Sequence, residues 1–254
     1  VKTKPILRWP GGKTRMLKKL LPMIPPHVCS CEVFGGGLAF TLAKPRSEVE
    51  IINDINGELI SLYLAAQKHL PELHRQIEML VSSRQLFHAF TKQPGLTDLE
   101  RAARFLLRNR ISFGGNMHSF GVAKTGGGGV AFSRKGVGKL LTQFHERLDN
   151  VVVENLPWQR CFANYDSPET FFFCDPPYFK SKIDAYEGWT EKQLREFARD
   201  VRRLKGKWIV TLDDCELNRQ LFAGCQIEAV STQNRSVNHR THGDQRFGEL
   251  IITK

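Results

Sequence analysis

The chain of 254 residues predicts an α/β fold, a largely parallel sheet whose order along the chain is interrupted by a mostly helical insertion. Three observations carry that expectation. Up to about residue 68 the chain alternates strand, glycine turn, helix, strand and helix, the grammar of a parallel sheet covered by helices. Residues 69–149 change to helical patterning around a glycine-rich stretch, and from residue 150 apolar strand-like runs return. The expected organisation is therefore one domain built from residues 1–68 and 150–254, with a second inserted at 69–149.

After the Gly11-Gly12 turn, Thr14–Leu21 reads as a short helix with a basic face that stops near Pro22. Cys31–Phe34 fits a strand that runs into Gly35-Gly36-Gly37, with a helix from Leu38. Glu48–Ile52 fits a second strand, which ends at Asn53-Asp54-Ile55-Asn56 before a helix over about Glu58–Lys68. Inside the insertion, Leu73–Leu80 and Asp98–Arg110 are helical, and the glycine-rich stretch Phe113–Gly138 precedes another helix. Gly126–Gly129 is a low-complexity patch that suits a loop tip. Strands are expected again at Val151–Val153, Phe171–Cys174, Trp208–Thr211, Ile227–Val230 and Glu249–Ile252. Between two of them Glu191–Leu204 is an amphipathic helix, as a right-handed crossover requires.

A chain of this length buries a substantial core, so its stability needs neither a disulfide nor a metal. The six cysteines are scattered, with no common zinc or thioredoxin spacing, and are read as reduced thiols. No apolar run reaches the length of a membrane span, and the N-terminus has no signal-peptide core, so a cytoplasmic protein is expected. The formal charge is +11, from basic residues concentrated in Arg101–Arg110, Arg134–Lys139, Arg195–Lys207 and Arg235–Arg246. Such a field favours a polyanion by counterion release.

The sharpest chemical feature is Asp175-Pro176-Pro177-Tyr178, directly after the apolar run Phe171–Cys174. Two prolines fix two φ angles and remove two amide donors, so the backbone leaves the strand stiffly with bare carbonyls. An exocyclic amine needs such a corner, because its lone pair is delocalised into the ring until acceptors hold its hydrogens. Asp175 can accept one hydrogen and the Pro176 carbonyl another, while Tyr178 stacks on the base. The competing reading is a Pro-Pro turn after a core strand.

Glu32-Val33-Phe34-Gly35-Gly36-Gly37 lets a ligand approach the backbone closely, although such turns also serve plain packing. Asp54, at the end of the next strand, suits the hydroxyls of a ribose; the alternative is a helix cap. Arg8-Trp9-Pro10-Gly11-Gly12-Lys13-Thr14 is not a phosphate loop, because Leu7 stands where its first glycine is needed. Trp9 and Lys13 can instead give an apolar wall and a cation for a carboxylate, or belong to an arm with a buried Trp.

In this order the features resemble the Dam-type N6-adenine DNA methyltransferases, the D12 class, group alpha. The resemblance covers nearly the whole chain and includes Tyr165-Asp166-Ser167-Pro168-Glu169-Thr170 before the motif strand. It implies a Rossmann-like S-adenosylmethionine-dependent methyltransferase sheet with an antiparallel last strand, residues 69–149 being the target-recognition domain. Trp9, Gly12, Lys13, Asp54, Asn155 and Asp175 then match cofactor-contacting positions, Phe34, Gly35 and Gly37 line the same pocket, and Asp175–Tyr178 is catalytic. Asn155-Leu156-Pro157-Trp158 stands where the family contacts the cofactor's adenine, with proline at the acidic position and Trp158 as the aromatic.

The implied partner is double-stranded DNA, with the target adenine flipped out of the helix. No metal and no membrane are expected, and the sequence leaves the oligomeric state open, a monomer included. Arg108–Gly115 matches the opening of the family's recognition hairpin, but Gly114-Gly115-Asn116-Met117-His118 lacks the arginine with which GATC-specific members read guanine. GATC recognition is therefore not expected. Arg110, Asn116, His118, Ser119, Lys124 and Arg134 are the candidate DNA contacts. His239 and His242 are read as DNA-facing charge, and Cys174 as core. Two alternatives stand beside this reading: the same chemistry on cytosine N4 or RNA adenine, and a catalytically silent DNA-binding relative.

Overall fold

The computed structural model describes residues 3–121, 132–178, 189–233 and 246–254. The first part runs α1 (Leu17–Leu20), β1 (Cys29–Glu32), α2 (Ala39–Ala43), β2 (Val49–Asn53), α3 (Gly57–Lys68), α4 (Leu70–Glu78), α5 (Arg84–Lys92) and α6 (Asp98–Ile111). Then come α7 (Arg134–Arg147), β3 (Val151–Glu154), α8 (Trp158–Tyr165), β4 (Thr170–Cys174), α9 (Glu191–Val201), β5 (Lys207–Asp213), α10 (Glu216–Leu221), β6 (Gln226–Gln233) and β7 (Arg246–Thr253). The strands form a seven-stranded sheet in the order β3-β2-β1-β4-β5-β7-β6. β1 is parallel to β2 and β4, and β4 to β5, whereas β7 runs antiparallel to β5 and β6. The α/β class and the antiparallel last strand both match expectation. No described helix is long and apolar enough to cross a membrane.

The chain divides into two compact units: Val1–Leu17, Gly35–Pro45 and Asp54–Asn155 form the first, and Lys18–Phe34, Arg46–Asn53 and Leu156–Lys254 the second. In the second unit β4 is buried along its whole length, which is why it reads as an unbroken apolar run rather than an alternating one. Phe172, Trp208, Val210 and Ile252 share a core with Leu194, Phe197, Ala198 and Val201, the apolar stripe of α9. A capping box between Thr190 and Gln193 starts that helix. In the first unit α3, α4, α6 and α7 pack on one another, with Tyr63 against Phe144 at 5.3 Å between ring centroids.

Several elements differ from the sequence reading. The helix expected over Thr14–Leu21 is broken into Lys13–Arg15, α1 and Leu21–Met23, the outer two being 3-10 turns. Gly12 offers no side-chain cap, and Pro22 falls inside the last piece. β1 ends two residues before Phe34, so Val33 and Phe34 already belong to the turn. The glycine-rich stretch is shorter than expected, because α7 starts at Arg134 and contains Gly136 and Gly138. Ser133 caps it by accepting from Gly136 N–H, and Val137, Leu141 and Phe144 hold it by burial. α5, α8 and α10 were not anticipated. Gly126–Gly129, His239 and His242 lie outside the described residues.

Phe172 is fully buried and meets Phe162 edge-on at 5.4 Å. Phe172→Ala is expected to lower unfolding stability by about 3–5 kcal/mol, read as a lower denaturant midpoint with an unchanged slope; a loss under about 1 kcal/mol would show that β4 is not at the core of its unit.

Candidate active site

In the second unit, the chain turns from β1 toward β2 on one side of the sheet and reaches β4 on the other. Open α/β sheets bind ligands at the carboxyl ends of strands at such a reversal. Glu32 is level with Phe173, and Val33 N–H donates to the Phe173 carbonyl at 3.0 Å. Phe34 and Asp175 thus leave neighbouring strand ends. The β4–β5 register pairs Cys174 with Val210, which brings the next residue, Thr211, beside Asp175. The fully buried Thr211 hydroxyl donates to Asp175 Oδ1 at 2.7 Å.

Pro176 is buried, and Pro177 and Tyr178 are half-buried. The Tyr178 hydroxyl donates to Glu249 Oε2 at 3.3 Å. Burial, then the negative charges of Asp175 and Glu249, push the phenol well above its ordinary pKa, so it stays neutral. Phe34 meets Trp189 (5.8 Å) and Phe197 (5.6 Å) edge-on, and the buried Trp189 Nε1 has no hydrogen-bond partner among the described residues. Asn53 ties the strand ends: its Nδ2 donates to the carbonyls of Val33 (2.8 Å) and Leu156 (3.0 Å), and its Oδ1 accepts from Leu156 N–H (2.8 Å). Cys174 is fully buried and its thiol is pushed up by that burial, an inert environment for a nucleophile. Trp158 is buried in the core against Phe162 and Phe197.

The first unit builds a separate corner around Gly36. Its N–H donates to Asp54 Oδ2 at 2.8 Å, and its carbonyl accepts from the Tyr63 hydroxyl. Gly36 has φ +47°, and a Cβ there would lie 2.7 Å from the Trp9 ring; one at Gly37 would lie 3.0 Å from Trp9 Cβ. The indole therefore closes Gly36 to a side chain, and at Gly37 a Cβ would press on Trp9 Cβ. Leu38, at φ +56° and fully buried, carries left-handed strain at the end of this turn, with its N–H on the Gly35 carbonyl at 2.7 Å.

Asp54 Oδ1 accepts from Asn56 N–H at 2.8 Å, and Asn155 Nδ2 donates to the Asp54 carbonyl at 2.7 Å. Burial raises the Asp54 carboxyl from its ordinary value, opposed by the N–H groups of Asn56, Gly36 and Ile55. Asn56, not Asp54, caps α3. Gly12 N–H returns to the Trp9 carbonyl at 3.2 Å, and the buried Lys13 Nζ donates to the Gly11 carbonyl at 2.9 Å. The sequence-derived residues Trp9, Gly37 and Asp54 are thus brought together around Gly36, with Asn155 on the Asp54 carbonyl.

Asn116, His118 and Ser119 share one turn closed by the Ser112–Phe120 bridge, in which Asn116 Oδ1 accepts from the N–H groups of His118 (3.0 Å) and Ser119 (3.4 Å). His118 and Ser119 are exposed. Arg110 is half-buried, and its guanidinium is shifted down by burial and by the charge of Arg8. Arg134 opens α7 and donates to the Glu78 carbonyl at 2.8 Å, outside that turn. Lys124 lies outside the described residues. Among the described residues no group of three His, Cys, Asp or Glu could hold a metal ion.

The sequence reading did not single out Thr211, Glu249, Trp189, Tyr63 or Asn109. Thr211 had a signal: it is the polar residue ending an apolar run that a parallel sheet sets beside β4. The others depend on contacts between distant segments.

Residues 9–236 match the D12 class N6 adenine-specific DNA methyltransferase family. The chain is 25% identical over 230 residues to the type II methyltransferase M.CviBI of Paramecium bursaria Chlorella virus NC1A, covering 87% of each. It is 27% identical over 270 residues to the DNA N-6-adenine-methyltransferase of Escherichia phage P1, covering 95% of this chain and 34% of that one. With the DNA adenine methylase of Haemophilus influenzae it shares 23% identity over 279 residues, 99% of this chain and 93% of the relative. A match that runs from the Trp9 arm through Asp54 to the Asp175 corner places this chain in the D12 class of N6 adenine-specific DNA methyltransferases.

Proposed function

We propose that this DNA adenine methyltransferase takes its methyl group from S-adenosylmethionine and acts on an adenine flipped out of duplex DNA at a short specific site. The observation that carries this reading is the Asp175 carboxylate, fixed by Thr211 at the end of a wholly buried strand. A carboxylate that Thr211 holds in one orientation is a hydrogen-bond acceptor at both oxygens. Asp175 therefore accepts one N6 hydrogen and the Pro176 carbonyl the other, which localises the nitrogen lone pair for attack. Tyr178, neutral and tied to Glu249, stacks on the base. The target must leave the stack because its N6 amine is unreachable within the duplex.

The corner in the first unit has the donor set that S-adenosylmethionine needs. The Asp54 oxygens hold backbone N–H groups of Gly36, Asn56 and Ile55 and have acceptor capacity for ribose hydroxyls. Trp9 is an apolar wall, Lys13 a cation for the amino-acid carboxylate, and Gly12, Gly35, Gly37 and Asn155 shape the backbone around them; Phe34, in the second unit, is assigned to the cofactor by the family resemblance. Bound there, the cofactor supplies an electrophilic methyl on a sulfonium centre. Residues 69–149 are the target-recognition domain within a catalytic domain of residues 1–68 and 150–254. In it Arg110, Asn116, His118, Ser119, Lys124 and Arg134 contact DNA, and the hairpin residues give no support to GATC as the site.

Two substitutions test these roles. Asp175→Ala is expected to lower transfer of labelled methyl to duplex DNA by at least about 10²–10³-fold while DNA retention in a gel changes little; unaltered turnover would show that the amine is held elsewhere. Gly36→Ala drives a methyl group into Trp9, and S-adenosylmethionine binding by titration calorimetry is expected to weaken by about tenfold or more, roughly 1.4 kcal/mol. An unchanged dissociation constant would remove Trp9 and Asp54 from the cofactor site.

A further inference from the structure

One buried side chain in the first unit holds both the Trp9 arm and the exposed turn at 112–120. Asn109, on the last turn of α6, is fully buried. Its Oδ1 accepts from Arg8 N–H at 2.8 Å, while its Nδ2 donates to the carbonyls of Arg8 (3.1 Å) and Gly115 (3.0 Å). A buried carboxamide with oxygen and both N–H groups engaged is satisfied in one arrangement only. Gly115, at φ +79°, closes the contact sterically, since a Cβ there would lie 1.8 Å from the Arg8 carbonyl oxygen.

From Arg8 the network continues through Trp9 to Gly36, whose N–H holds Asp54. From Gly115 it continues to Asn116, which shapes the loop carrying His118 and Ser119. The links are packed backbone and satisfied hydrogen bonds, so neither end shifts without disturbing Asn109.

We propose that Asn109 is a positioning residue that couples duplex DNA on the 112–120 turn to the hold of Trp9 and Asp54 on the cofactor. The inference rests on the cofactor and DNA roles given under Proposed function. Each ligand needs the same arrangement of the clamp, so the one bound first holds it in place for the second. By linkage, DNA and cofactor raise each other's affinity by one common factor.

The probe is S-adenosylhomocysteine, which permits no turnover, titrated calorimetrically with and without sheared duplex DNA free of methylated adenine. The wild-type chain is expected to bind it at least about fivefold tighter with DNA. Asn109→Ala and Gly115→Ala, checked for folding by thermal melting, should bring that ratio within about twofold of one. Leu73→Ala, which removes a fully buried side chain of α4 in the same unit, should keep the wild-type ratio despite its lower melting temperature. A measurement on unsubstituted protein covers variants that fail to fold: DNA should slow hydrogen exchange of the Arg8 amide, the one held by Asn109 Oδ1. A wild-type ratio of one, a folded Asn109→Ala that keeps the full ratio, or an Arg8 amide indifferent to DNA each overturns the coupling alone. No binding of S-adenosylhomocysteine under any condition overturns the cofactor site and the coupling together.

Discussion

The first unit depends on a single backbone amide. Gly36 N–H donates to the buried Asp54 carboxylate, while the α-carbon of the same residue lies too close to Trp9 to carry a side chain. These two constraints explain three features that are far apart in the sequence: a glycine run after β1, an aspartate after β2 and a tryptophan near the start of the chain. They also explain why a carboxylate whose pKa is raised by burial is tolerated there. The N–H groups that replace water around it are fixed by the fold rather than recruited, which is how a buried charge is kept ready for hydroxyl donors.

The second unit solves a different problem with stiffer parts. A strand of aromatic residues, buried on both faces, ends abruptly in two prolines, so Asp175 projects from the end of a wholly buried strand. Thr211 then fixes the carboxylate orientation from the neighbouring strand, and Glu249 does the same for the Tyr178 hydroxyl from β7. Burial beside acidic groups keeps that phenol neutral, which suits the stacking proposed for its ring. Orientation by prior packing is the general way a weak nucleophile is made to react without a stronger base.

Much of this was legible in the amino acids. Asp175-Pro176-Pro177-Tyr178 stands out because proline writes backbone geometry directly into sequence. The strands β4 and β5 stand out as unbroken apolar runs because they are buried on both faces, and the helices α3, α6 and α9 because burial of one side imposes a helical period. α5 escaped because only Phe87 among its residues is fully buried. α10 is short and starts without a side-chain cap, and α8 begins straight after a proline-containing segment, so neither announced itself. The asparagine clips were invisible for another reason. Asn53 and Asn109 are ordinary polar letters until Leu156 and Arg8, more than a hundred residues away, are brought to them. Local pattern carries no trace of such a partner.

The central claim is that the corner at Asp175 presents a purine amine, in duplex DNA, to a sulfonium methyl. Its most direct measurement is mass spectrometry of the nucleosides released from unmethylated duplex DNA after incubation with the protein and S-adenosylmethionine carrying a deuterated methyl group. The account predicts labelled N6-methyl-2′-deoxyadenosine as the product. Labelled N4-methylcytosine in its place, or label in RNA adenine and none in DNA, would contradict it.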